Sequence, residues 1–171
     1  MMFAPLVGGC LCSRVRFRAT HGPQRTLACH CTFCQRLTGT AFYVESIFPC
    51  GAIEFESRGV STFDHTSDTS GLKVHVHFCA RCSTTLGLTF ERWPQIRALS
   101  RSCFDEPNDI AIDAHIWTRS AQAGIALPSG VDCFAQSPYR PDGKIEVATR
   151  FLRPIMASAV TKARPASPDG R

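Results

Sequence analysis

Seven of the ten cysteines fall into three tight clusters: Cys10-Leu11-Cys12, Cys29-His30-Cys31-Thr32-Phe33-Cys34 and Cys79-Ala80-Arg81-Cys82. Closely spaced thiols are what a tetrahedral soft-metal site needs. Zinc takes four ligands, with bonds of about 2.3 Å to sulfur. Two pairs make a closed set of four, and the triplet makes a set of three with one position open. A closed four-thiolate set is the pattern of a structural zinc, and three protein ligands plus an exchangeable position that of a catalytic one. The spacing therefore predicts two zinc ions with different roles. Joining Cys10 and Cys12 to Cys79 and Cys82 is preferred, because it closes distant parts of the chain around one ion and makes metal binding part of folding. The other grouping, Cys10 and Cys12 with the triplet, would strand two ionisable thiols.

Two other thiol chemistries compete. Ten cysteines in 171 residues are about 6%, below the density that marks a disulfide scaffold. The N-terminus MMFAPLVGGC lacks a charged leader, and no apolar run is long enough to span a bilayer. A cytoplasmic location is the expectation, and there clustered cysteines favour metal over disulfides. A redox C-x-x-C is disfavoured because these motifs sit within larger thiol clusters.

The elements that must aim these thiols read as mostly β. Arg14–Arg18 and Ala52–Glu56 alternate polar and apolar residues, as half-buried strands do. In Leu72–Phe78, Leu72, Val74, Val76 and Phe78 share one face, and Lys73, His75 and His77 the other. That strand runs straight into Cys79. Ile110–Trp117 alternates again, with His115 and Trp117 opposite the isoleucines. Gly, Pro, Ser and Asn punctuate these short strands, which predicts an all-β sandwich or irregular barrel. Residues 150–162 have helical character, broken by Pro154. Residues 1–139 form one predicted zinc-binding domain. Residues 140–171 form a basic C-terminal extension, at least partly disordered, whose last segment ARPASPDGR is too polar to bury much. Residues 1–139 carry 12 Lys/Arg against 11 Asp/Glu, and residues 140–171 carry 7 against 3. The domain is nearly neutral, so no specific nucleic-acid partner and no membrane partner are expected. The oligomeric state is not legible.

The runs Gly8-Gly9-Cys10-Leu11-Cys12-Ser13-Arg14-Val15, Cys29-His30-Cys31-Thr32-Phe33-Cys34-Gln35-Arg36-Leu37-Thr38-Gly39 and Phe78-Cys79-Ala80-Arg81-Cys82-Ser83-Thr84-Thr85-Leu86 resemble the glutathione-dependent formaldehyde-activating enzyme family, also called centromere protein V-like. His115-Ile116-Trp117-Thr118-Arg119-Ser120 is similar to its C-terminal segment. The resemblance spans roughly residues 6–138. It implies a mainly β, Mss4-like zinc-binding fold of short antiparallel strands. It also implies a structural zinc on Cys10, Cys12, Cys79 and Cys82, and a catalytic zinc on Cys29, Cys31 and Cys34. The implied activity is that of a carbon–sulfur lyase joining formaldehyde and glutathione. The chain departs from the family at Ser13 and Ser83, where glycine is usual. Glycine at such a knuckle commonly supplies a positive φ, which serine tolerates poorly.

A zinc held by three thiolates is a weak Lewis acid, which favours activating a substrate thiol over activating water. The predicted function is thus a zinc-dependent carbon–sulfur lyase-type enzyme acting on an adduct of a small thiol such as glutathione and an aldehyde. The alternative is a zinc-stabilised binding or scaffold module whose basic tail recruits an acidic partner. Among other polar residues, His30 is a candidate proton shuttle or support for the metal ligands, against a solvent-facing knuckle residue. Arg36 is a candidate carboxylate clamp, against a surface ion pair. His115 and Trp117 either line a pocket or pack under the tail. His75 and His77 read as an exposed strand face. Cys50, Cys103 and Cys133 are single thiols with no assigned role.

Overall fold

A computed structural model describes residues 5–56, 59–139 and 144–158. Three sheets account for most of it. The smallest core-forming sheet runs β1-β2-β5, from β1 (Leu6–Gly9), β2 (Arg16–Ala19) and β5 (Ile53–Phe55). The main sheet has eight strands. In spatial order they are β12 (Asp132–Cys133), β10 (Ala114–Ile116), β3 (Arg25–Cys29), β4 (Tyr43–Pro49), β9 (Ile96–Ser100), β8 (Thr85–Phe90), β7 (Lys73–Cys79) and β6 (Val60–Thr66). The last sheet pairs β11 (Ala126–Leu127) with β13 (Ile155–Met156). The described α-helix is α1 (Thr32–Thr38). The molecule is mainly β, but its strands are not all antiparallel. β10 lies parallel to both β3 and β12.

Alternation along the central strands gives the main sheet two apolar faces. Phe48 and Leu99 point into a core shared with the small sheet, where Val15, Phe17, Leu86 and Phe104 pack. Their neighbours Ile47 and Ala98 point the other way, into a second core with Leu27, Val76, Leu88, Ile116 and Phe134. Each thiol set lies at the edge of one of these cores. Cys10 and Cys79 belong to the first, and Cys29 and Cys34 to the second.

Strand Lys73–Cys79 starts one residue after the alternating run Leu72–Phe78 and ends one residue beyond it. The Ile110–Trp117 run is strand only over Ala114–Ile116, because a 3-10 turn over Pro107–Asp109 precedes it and Asp113 turns back onto β3. The Asp113 carboxylate accepts from the Thr26 amide at 2.7 Å, and its own amide donates to the Thr26 carbonyl. Residues 150–158 contain β13 and no helix. Residues 144–158, assigned from sequence to the extension, run back along the body. Thr149 pairs with Cys133, and the Gly130 amide donates to the Phe151 carbonyl. The ARPASPDGR segment lies outside the described residues. No described helix is long and apolar enough to cross a membrane.

Candidate metal centres

Cys10 and Cys12 sit on the turn between β1 and β2, and Cys79 and Cys82 on the turn between β7 and β8. The two turns are built alike. In each, the first cysteine's carbonyl accepts from the serine that follows the second, Ser13 at 2.9 Å and Ser83 at 2.9 Å. In each, a later amide donates to the first cysteine's sulfur, Val15 to Cys10 at 3.3 Å and Arg81 to Cys79 at 3.4 Å. Ser13 and Ser83 both adopt φ 58°, the left-handed conformation that glycine would take freely. The Thr84 hydroxyl ties the turns together, accepting from the Leu11 amide at 3.2 Å and lying 3.2 Å from the Cys82 sulfur.

The result is four sulfurs within 4.8 Å of one another. Cys10 and Cys12 are 3.6 Å apart and Cys12 and Cys79 3.8 Å apart. A tetrahedral ion with sulfur bonds of about 2.3 Å needs its sulfurs about 3.8 Å apart. These thiols therefore fit a metal ion without rearranging, and such an ion would pin the small sheet to the main one.

The second set forms where β3 ends and α1 begins. Cys29 closes β3, Cys31 is the N-cap of α1, and Cys34 lies in its first turn. The Cys31 sulfur accepts from the Cys34 amide at 3.3 Å. Gln35 fastens the segment by donating to the carbonyls of His30 at 2.6 Å and Ser120 at 2.9 Å. The three sulfurs again lie within 4.8 Å of one another. Hydrogen bonds from Cys29 and Cys34 hold the Cys31 thiol well below its usual range. The same sharing pushes Cys29 and Cys34 well above theirs. Cys31 is thus the most readily ionised thiol of the set. All ten cysteines are free thiols.

The two sets differ in what they face. Cys29, Cys31 and Cys34 line a cavity of about 920 Å³, and the four-thiol set does not. Phe33, Phe90, Trp93, Ile116 and Trp117 supply apolar walls. Arg25, Lys73, Arg92 and Arg119 bring four cations, against the exposed Asp68 and the buried Glu45. His65 stacks on Phe33 with ring centres 4.4 Å apart and also lines the space.

Sequence reasoning missed the cavity cations and Glu45. Glu45 sits between Tyr43 and Ile47 on one face of β4, and is 7% exposed. Burial, with the negative charge of Cys31 added to it, pushes its carboxyl up to about 8. A charged residue at an inward position of an alternating strand was the available signal. Other expectations need correction. His30 does not face solvent: it is 0% exposed, and its Nε2 is 3.0 Å from Nδ1 of the buried His115. Burial, then His115, lowers the His30 imidazole to about 4. Arg36 is exposed and lies outside the cavity lining. Trp117 lines the cavity while His115 does not, because Trp117 turns left-handed at φ 58° and ends the alternation. His75 and His77 are not a bare exposed face. His75 meets Asp64 at 2.7 Å, and His77 bridges Thr62 and Thr89.

Comparison with known proteins places this architecture. The sequence pattern of the family described as glutathione-dependent formaldehyde-activating enzyme matches residues 5–120, which include all seven clustered cysteines. The chain belongs to this family. A Halomonas elongata protein named for glutathione-dependent formaldehyde activation is 30% identical over 98 residues. The match covers 53% of this chain and 60% of that relative's length. A Rhodobacter sphaeroides protein of known crystal structure superimposes with a TM-score of 0.47 at 16% identity, over 60% of this chain and 93% of its own. That likeness is too slight to add to the assignment. Within the formaldehyde-activating family, this chain's two thiol sets and its cationic cavity are the features available for chemistry.

Proposed function

We propose that the chain is a zinc-dependent carbon–sulfur lyase-type enzyme acting on the adduct of a small thiol, such as glutathione, and an aldehyde, such as formaldehyde. The supporting observation is that the three-thiol set opens into a large cavity ringed by cations, a cavity that the four-thiol set does not line. Cys10, Cys12, Cys79 and Cys82 would hold a structural zinc, and Cys29, Cys31 and Cys34 a catalytic one. A zinc ion on three thiolates keeps one position for a ligand and takes the proton off a bound thiol.

The chain's own residues do the rest. Arg25, Lys73, Arg92 and Arg119 match the two carboxylates of a glutathione-like molecule, and Asp68 its ammonium group. Aromatic side chains make part of the cavity apolar, a setting in which the bound thiol sulfur can meet an aldehyde carbon. The cavity volume falls in the range of small-molecule sites. Free thiols throughout suit a reducing cytoplasmic setting.

Exchange NMR on formaldehyde and glutathione at fixed pH tests this. Zinc-loaded protein should speed exchange between free glutathione and its hydroxymethyl adduct. Cys31→Ser should abolish the acceleration and lower the zinc content from two to one per chain. No acceleration from protein shown to carry two zincs would favour a zinc-stabilised binding module.

A further inference from the structure

Glu45 is the buried ionisable side chain of the cavity that the preceding account leaves without work. It occupies the middle of β4, between β3 and β9 in the centre of the main sheet, paired with Leu27 and Ser100. Tyr43 and Ile47, its neighbours on the same face, belong to the second apolar core. Its Oε2 is buried and has no hydrogen-bond partner among the described residues. A buried carboxyl without a partner costs stability. A fold that needed only packing there would carry an apolar side chain.

Nearby polar groups are already committed. The Tyr43 hydroxyl lies 2.6 Å from the Ser100 hydroxyl, which donates to the Thr85 carbonyl at 2.6 Å. Neither hydroxyl partners the orphaned Oε2. Glu45 does line the same cavity as Cys29, Cys31 and Cys34. It thus contributes part of its side chain to a wall shared with the thiol set, with Oε2 packed inside that wall.

We propose that Glu45 is a catalytic residue that hydrogen-bonds the aldehyde oxygen and gives it a proton as the carbon–sulfur bond forms. This rests on the reading of the cavity as a thiol–aldehyde site. In the forward step the sulfur electron pair forms the C–S bond, and the C=O π pair moves onto oxygen. That oxygen takes the Glu45 proton and becomes the adduct hydroxyl. The carboxylate left behind recovers a proton from the next thiol or from water. In reverse, the carboxylate takes the hydroxyl proton, C=O re-forms, and the C–S pair returns to sulfur. A carboxyl buried among Tyr43 and Ile47 favours its neutral form and is suited to donating in this way.

The test is Glu45→Gln, which keeps shape and a hydrogen-bond donor but has no transferable proton. Exchange NMR should show a fall of about 100-fold or more, the scale of a general acid. Glutathione affinity should stay within about twofold, and zinc content at two per chain. Equal losses in affinity and rate, or an unchanged rate, would overturn the role of Glu45 while leaving wild-type activity intact. A wild type without acceleration would instead overturn the reading of the site. Should the variant fold poorly, infrared difference spectra of the wild type with formaldehyde and glutathione decide. A shifted protonated-carboxyl band is expected, and a carboxyl region without change refutes the proposal.

Discussion

Ser13 and Ser83 each hold φ at 58° on the turns that carry the four-thiol set. A residue with a Cβ in the left-handed region costs about 1–2 kcal/mol, and glycine's greater freedom when unfolded returns roughly half of that. Ser13→Gly and Ser83→Gly should therefore each stabilise the fold by about 0.5–1 kcal/mol, raising Tm by about 1–4 °C per site. Thermal melts of the metal-loaded single variants check this. A lower Tm would mean that the serine hydroxyls hold the turns in a way their backbone does not. This strain was legible through the family resemblance, because serine stands at both positions where the family usually has glycine. Glu45 was not legible in the same way. Its alternating context marks an inward position, but only the tertiary structure shows that its Oε2 has no partner among the described residues.

At the scale of elements, the two glycines before Cys10 explain how β1 delivers the first thiols. A Cβ on Gly8 would lie 2.3 Å from the Cys103 carbonyl oxygen and 2.6 Å from the Phe17 ring, and one on Gly9 2.4 Å from the Val15 carbonyl oxygen. Backbone packs directly on backbone here, and Gly8 bridges to Phe104. Gly8→Ala should push β1 away from Phe104 and destabilise the fold by about 1–3 kcal/mol, the usual cost of overpacking. Urea unfolding should show a lower midpoint, and an unchanged midpoint would place slack at this contact that the structure lacks. The strand that ends in Cys79 was readable to within a residue, because period-two alternation over seven residues has no helical counterpart. The strand carrying His115 was overextended in the sequence reading. Alternation continues through Asp113, but that side chain caps β3 and stops the ladder. The parallel pairing of β10 with β3 joins segments far apart in the chain, so no local pattern announces it. Over residues 150–158, the described part of the run read as helical but broken by Pro154, β13 stands instead, and its pairing with β11 depends on a partner about thirty residues earlier.

Over the whole molecule the proposed function assigns the two thiol sets different work, one holding the fold and the other serving the cavity. The four-thiol set joins the turn of the small sheet to a turn of the main sheet, and its buried sulfurs are part of the first core. The three-thiol set lies within one end of the main sheet and a helix only seven residues long. A structural zinc contributes about 10–16 kcal/mol of binding free energy, comparable with the whole stability of a domain this size. Losing the first ion should therefore unfold the chain, and losing the second should not. A strong chelator should remove zinc in two steps, the first leaving the β circular-dichroism signal in place and the second abolishing it. Cys31→Ser should begin at the first of these states, with one zinc and a native spectrum. Cys79→Ala should be unfolded or insoluble, since Cys79 is wholly buried and bonded to Thr84 and Ser83 through its backbone. A soluble Cys79→Ala with two zincs and a native spectrum would sink the division of roles, because the ion that joins the sheets would then be dispensable to the join.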